Sequence, residues 1–272
     1  MHIKANNSPA VSLVQITDAH LERHRGGTLL GMDTDASLAA VVALIARERG
    51  ECDVLLATGD ISNCGAVTSY QRFAEATATV ASRRHWLPGN HDLNSAMEEA
   101  VGRGDQLQRV VDIGNWRLVL LDSSVDGESG GLLAPAELAH LTAALADCGQ
   151  RHVLIAMHHP LLAIDCAWLD PQKVVNSEQF FAIVEGCDRV RGVICGHIHQ
   201  PIDRVYRGLR LLASPSSCVQ FAPGSDDFRL QRVGPGYRWL TLGAEGTIDT
   251  GMSRVENYPF ESAIDFEGEH FY

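Results

Sequence analysis

The chain has 272 residues, 45% of them hydrophobic, and a formal net charge of −12. That length suits one large domain or two small ones, and the apolar content supports a full buried core and excludes global disorder. No apolar run nears the roughly 20 residues that span a bilayer. The acidic balance, with no Lys/Arg-rich run, speaks against a nucleic-acid partner.

Val11–Ile16 is an apolar run that reads as a strand and ends at Thr17-Asp18. Asp35–Arg49 carries Leu38, Val41, Val42 and Ile45 on one helical face, with Gly50 at the stop position. Val54–Ala57 reads as a buried strand ending at Thr58-Gly59-Asp60. Ser69–Ala81 reads as a helix, and His85–Leu87 as a brief strand before Pro88-Gly89-Asn90-His91-Asp92. Leu118–Leu121 is a strand ending at Asp122. Pro135–Ala146 is a helix with proline in its first turn. Val153–Met157 is a strand ending at His158-His159-Pro160. A short helix over Ser177–Val184 precedes the strand Val190–Cys195, which ends at Gly196-His197-Ile198-His199. From there to Met252 the pattern is strands and turns, and 253–272 is an acidic, aromatic tail after a 1–252 catalytic domain. Strands alternating with helices are the pattern of layered α/β proteins.

Seven cysteines, odd in number and without a CxxC pair, read as reduced thiols of a cytoplasmic protein. Met1–Pro9 has no apolar signal core, so export is not expected. The histidines are more informative. Several stand directly after apolar runs, beside Asp, Asn or Gly. Five such segments recur at the ends of expected strands: Asp18-Ala19-His20, Gly59-Asp60, Gly89-Asn90-His91-Asp92, His158 and Gly196-His197-Ile198-His199. Strand ends in α/β sheets converge on one crevice. The donors are carboxylate, amide and imidazole with no thiolate, a set that suits manganese, iron or zinc. If the backbone is extended, Asp18 and His20 point to one side, and so do His197 and His199. Glycines 59, 89 and 196 allow tight turns that aim the next side chain inward. A single strand-end histidine is usually a polar cap, so the weight lies on the ordered set.

These residues, in this order, resemble the calcineurin-like metallophosphoesterase superfamily, whose pattern is DxH, GD, GNH(D/E), H and GHxH. A closer resemblance is to the class III cyclic-nucleotide phosphodiesterases of the bacterial cyclic-AMP type. It rests on Leu30-Gly31-Met32-Asp33-Thr34, Trp86–Asp92, Cys195–Gln200, Leu212–Phe221 and Pro235-Gly236-Tyr237-Arg238, and it spans about residues 11 to 250. The resemblance implies a four-layer α/β/β/α sandwich of two mixed sheets. It implies two metal ions: one held by Asp18, His20, Asp60 and His199, the other by Asp60, Asn90, His158 and His197. Iron with manganese is the first expectation, with two manganese ions or zinc as alternatives. Substrate would bind at His20, Asp60, Asn90, His91 and His199. His91 and Asp92 would be the catalytic pair, with Asp92 orienting from behind.

The implied reaction is hydrolysis of 3′,5′-cyclic AMP to 5′-AMP by a metal-bridging hydroxide, the partner being a small cyclic nucleotide. Two readings stay open beside it: the same chemistry on a glycerophosphodiester or nucleotide-sugar, and a non-catalytic scaffold. His159 would point away if its strand continues. His24, His85, His140 and His152 fit exposed or helix-surface positions, and Cys195 fits core packing. Asn63 is a substrate contact or a turn residue. Ser216, Ser217 and Gln220 face the nucleotide or form a turn. Tyr258, Phe260, Phe266, Phe271 and Tyr272 belong to a solvated tail or to a lid or homodimer contact.

Overall fold

Val11–Ile16 is buried at five of its six residues, so this strand needs cover on both faces. The computed structural model, which describes residues 10–259, supplies that cover with two sheets and two helical layers. The chain runs through β1 (Val11–Ile16), the hairpin β2 (Thr28–Leu29) and β3 (Met32–Asp33), α1 (Thr34–Glu48), β4 (Cys52–Thr58), α2 (Val67–Ala76), β5 (Ala81–Leu87) and α3 (Asn94–Val101). It continues through β6 (Val110–Ile113), β7 (Trp116–Leu120), α4 (Pro135–Ala146), β8 (His152–Ala156), α5 (Ser177–Val184) and β9 (Val190–Cys195). It ends in β10 (Ile202–Tyr206), β11 (Leu209–Ala213), the hairpin β12 (Gln220–Phe221) and β13 (Leu230–Gln231), β14 (Gly236–Leu242) and β15 (Ile248–Arg254).

The first sheet has the order β15-β14-β1-β4-β5, and the second β10-β11-β9-β8-β7-β6. Both are mixed. β1, β4 and β5 are parallel, as are β7, β8, β9 and β11, while β14 and β15 pair antiparallel, as do β6 with β7 and β10 with β11. Leu13, Val54, Leu56 and Leu87 from the first sheet meet Trp116, Leu118, Leu154 and Ile194 from the second in one apolar layer. The outer face of the first sheet packs against Leu38, Val41 and Ile45 of α1, Tyr70 and Phe73 of α2, and Met97 of α3. The outer face of the second packs against Leu141 and Leu145 of α4 and Phe180 and Phe181 of α5. The result is the expected α/β/β/α sandwich. Among the described residues no helix is long and apolar enough to cross a membrane.

Local signals explain several boundaries. Asp33 caps α1 by accepting from the Ala36 amide at 2.9 Å, and Gly50 takes the left-handed conformation after its end, at φ 66°. The helix expected over Ser69–Ala81 stops at Ala76, because Ala81 is already paired with Cys52 in the sheet. β15 runs to Arg254, two residues into the stretch read as tail. Tyr258 is half-buried against the Met32/Val219 cluster, whereas Phe260, Phe266, Phe271 and Tyr272 lie outside the described residues.

Two histidines read as surface residues are buried in strands. His152 lies in β8 against Trp116, with ring centroids 5.4 Å apart. His85 lies in β5 and is 2% exposed. Its Nδ1 donates to the Asp105 carbonyl at 2.8 Å, and its buried Nε2 has no partner. Burial therefore holds its pKa below the ordinary 6.5. Below that value the unfolded chain takes up this proton and the folded chain resists, so His85 costs stability as pH falls. His85→Gln keeps a donor for Asp105 and removes the titration. Its unfolding free energy, measured from pH 7 to pH 5, should fall less steeply than that of the parent, by at most about 1.4 kcal/mol per pH unit. Parallel slopes would refute this account of His85.

Candidate metal centre

Asp18 and His20 follow β1, Asp60 follows β4, and Asn90 to Asp92 follow β5, all at the carboxyl ends of parallel strands in the first sheet. His158 and His159 follow β8, and His197 and His199 follow β9, at the corresponding ends in the second. Packing the sheets face to face thus joins two sets of strand ends. The backbone does not reach the site in extended form, as the pairing of alternate residues would have required. Asp18, His20, Asp60, His197 and His199 all have positive φ, between 46° and 67°. Left-handed backbone at a non-glycine residue costs about 1–3 kcal/mol and persists where surrounding structure enforces it. Here the Asp18 and His20 amides donate to the Gly59 and Asp60 carbonyls at 3.0 and 2.9 Å.

The three glycines act in two ways. Gly59 alone of the three needs its freedom of φ, at +94°. Gly89 and Gly196 provide space. A Cβ at 89 would stand 2.2 Å from Asp60 Oδ1, and one at 196 would stand 2.1 Å from Thr17 Oγ1.

The seven residues expected as ligands form one cluster, buried apart from Asn90, which is partly exposed. His20 Nε2 faces His199 Nε2 at 3.3 Å, and His158 Nε2 faces His197 Nδ1 at 3.3 Å. Asp60 Oδ2 lies between the pairs, 3.6 Å from His20 and 3.3 Å from His158. Asp18 Oδ1 lies 3.3 Å from His199, and Asn90 Oδ1 lies 3.2 Å from His158.

The outward nitrogen of each ring faces an oxygen that only accepts. These are Asn63 Oδ1 for His20 (3.2 Å), the Thr58 carbonyl for His158 (2.8 Å), Gln172 Oε1 for His197 (3.0 Å) and the Val219 carbonyl for His199 (2.8 Å). Each outward nitrogen is therefore an N–H, and where the ring is neutral the inward one presents a lone pair. Two imidazole lone pairs facing each other at 3.3 Å repel unless they share a cation. The donor set and its orientation thus fit metal ions, and the tethers are of the kind that fix metal-binding histidines.

The electrostatics agree. Burial works against the charge on Asp18, but His199 and His158 outweigh it and hold the carboxyl below its usual range. Burial also opposes ionisation of Asp60, yet His158 and His20 hold it well below. Burial lowers His158, but Asp60 and Asp18 outweigh it and raise its pKa to about 10. Burial lowers His20 to about 4, and burial with His159 and His158 alongside holds His197 well below its ordinary value. A cation competes with the proton on His158 and supplies the counter-charge both carboxylates need.

His91 is exposed at the rim. Its amide donates to Asp60 Oδ1 at 2.9 Å, its Nδ1 donates to the Asn63 carbonyl at 3.0 Å, and its ring stands edge-on to His20. Asp92 accepts from the amides of Gly89 (2.9 Å), Ile61 (3.2 Å) and Ser62 (3.0 Å). Its carboxyl pKa is raised to about 6 by burial and by Asp60, and the group ties the β4 loop to the β5 loop.

Other residues have roles the sequence did not show. Asn63 orients His20 through its Oδ1 at 3.2 Å and His91 through its backbone carbonyl at 3.0 Å. His159 does not turn away. It is fully buried, 4.6 Å ring to ring from His197, with Nδ1 2.8 Å from Ser123 Oγ. Ser216 and Ser217 hydroxyls donate to the Asp18 and Thr17 carbonyls, and Gln220 bonds back to Ser216, so this segment braces the β1 loop. Gln172 was missed because Asp170-Pro171-Gln172 reads only as a turn. Gln15 could have been found, as a polar residue inside an apolar run. It joins the two sheets through Thr58 Oγ1 (2.7 Å) and the Cys195 carbonyl (2.9 Å).

Comparison with known proteins agrees with this geometry. The calcineurin-like phosphoesterase family profile matches residues 11–201. The chain is 45% identical to the 3′,5′-cyclic adenosine monophosphate phosphodiesterase CpdA of Pseudomonas aeruginosa, over 97% of this chain and 98% of that one. It is 39% identical to the protein of the same name from Escherichia coli K12, over 95% and 94%. Among solved structures, a dimetal phosphatase from Danio rerio shares the fold with a TM-score of 0.59 at 17% identity, covering 90% of this chain and 99% of that one. The profile match and the relatives together show that this chain belongs to the calcineurin-like phosphoesterase family.

Proposed function

We propose that this chain hydrolyses 3′,5′-cyclic AMP to 5′-AMP at a dinuclear metal centre. The observation that carries the reading is the position of Asp60 Oδ2 between two facing histidine pairs, a carboxylate placed to serve two cations at once. The substrate follows from the relatives, which are named as cyclic-AMP phosphodiesterases and align over nearly their whole length. Asp18, His20, Asp60 and His199 would hold one ion, and Asp60, Asn90, His158 and His197 the other. The nitrogen and oxygen donors suit iron with manganese, or two manganese ions.

Bound there, two cations would neutralise phosphate oxygens and acidify water. The chain's own residues do the rest. Hydrolysis forms a bond from water oxygen to phosphorus, breaks the bond from phosphorus to O3′, and moves one proton to O3′. His91 is the side chain placed to hold that proton. Its Nδ1–H is committed to the Asn63 carbonyl, so Nε2 is the atom free to meet the leaving oxygen. Asn63 and Asp92 hold the two loops that aim it.

His91→Ala should lower turnover of cyclic AMP about 10²- to 10⁴-fold, and should lower it much less on an aryl phosphodiester, whose leaving group needs no proton. Equal losses on both would remove proton donation from His91. The substrate assignment is tested by offering cyclic AMP, a glycerophosphodiester and a nucleotide-sugar at equal concentration. The highest kcat/KM should fall on cyclic AMP, and a preference for either of the others would replace it.

A further inference from the structure

Gln172 sits in the loop between β8 and α5, outside every motif of the metal cluster. Its Oε1 lies 3.0 Å from His197 Nε2. Its own Nε2 donates to the Trp168 carbonyl at 3.1 Å, which fixes which end of the amide faces His197. The backbone holds it as well: the Gln172 amide donates to the Leu169 carbonyl at 2.8 Å, and its carbonyl accepts from the Gly131 amide at 3.2 Å. The side chain is therefore aimed before any ligand arrives.

We propose that Gln172 is a positioning residue that sets the tautomer and the ring orientation of His197, and with them the affinity of the second metal position. This rests on the dinuclear reading above. A neutral imidazole carries one N–H. An amide oxygen can only accept, so the bond to Gln172 places that hydrogen on Nε2 and turns the Nδ1 lone pair toward His158 Nε2, 3.3 Å away. His158 and His199 are tethered by backbone carbonyls, which no substitution removes. His197 depends on a side chain from a different loop, so its tether can be cut.

Two variants separate this role from a merely structural one. Gln172→Leu removes both the oxygen that His197 needs and the donor that Trp168 uses. Gln172→Glu removes only the donor and keeps an oxygen for His197. Mn²⁺ is titrated calorimetrically into each chelator-treated protein, with thermal unfolding followed alongside. Gln172→Leu should weaken one of two Mn²⁺ sites about 10- to 100-fold and leave the other unchanged, while Gln172→Glu should bind both ions nearly as the parent does. Two unweakened sites in Gln172→Leu would overturn the proposal, and so would equal weakening in both variants. A parent protein that binds fewer than two ions would instead overturn the dinuclear reading itself.

Discussion

Asp60→Ala is expected to lower kcat/KM on cyclic AMP by on the order of a thousandfold or more, with a cooperative fold retained. The metal ions of such a site are worth several kcal/mol of transition-state stabilisation, and each ~1.4 kcal/mol is tenfold in rate. Asp60 Oδ2 lies within 3.6 Å of both histidine pairs, whereas Asp18 Oδ1 lies 3.3 Å from His199 but 4.0 Å from His158, and Asp60 Oδ1 receives the His91 amide. On the proposed reading the substitution removes a shared ligand, and it also removes the carboxylate that accepts from the His91 amide. The fold should survive, because apolar layers between and outside the sheets hold it together and His158, without Asp60, can give up its proton rather than stay charged and unpaired. Metal content per chain should fall with activity. A variant that keeps both ions and near-parental turnover would show that Asp60 does not bridge.

Trp116→Ala is expected to cost about 3–5 kcal/mol of stability, the range for deleting a large aromatic from a packed core. Trp116 has no exposed surface and belongs to the apolar layer between the two sheets. Its indole N–H donates to the Gly243 carbonyl at 2.9 Å, in the turn after β14, so it also bonds the second sheet to the first. The site depends on that interface, since each sheet brings part of the cluster. Urea unfolding should show a lower midpoint with an unchanged m value, because the folded and unfolded surfaces stay alike. A loss under ~1 kcal/mol would mean that neighbouring side chains fill the space, against the close packing this layer implies.

The parts of the fold that were legible carry their own local punctuation. Val11–Ile16, Pro135–Ala146, Ser177–Val184 and Val190–Cys195 have the boundaries their apolar runs, proline and flanking turn residues indicate. α3 was not legible, because Asn94–Val101 is short and follows a stretch crowded with turn residues. The alanines after Phe73 favour helix locally, but pairing with β4 takes Ala81 into the sheet.

For the site, the ordered motifs marked which strand ends matter, since each set of donors is contiguous in the chain. What holds the donors in place was not readable. His158 is tethered to Thr58, 100 residues away, and His197 to Gln172, 25 residues away. The left-handed backbone at five of the donors falls on Asp and His, which tolerate it better than most residues, but bonds between loops across the sheet ends fix it there, and those are not readable in the chain. His85 and His152 show the same limit, being polar residues whose burial depends on what packs over a strand.

The most direct test of the whole account is hydrolysis of 3′,5′-cyclic AMP by the purified chain, with added Mn²⁺ and with chelator, and with the product identified. The account predicts turnover that needs the metal and gives 5′-AMP. No turnover of cyclic AMP by Mn²⁺-loaded protein, or turnover unchanged by chelator, would contradict it.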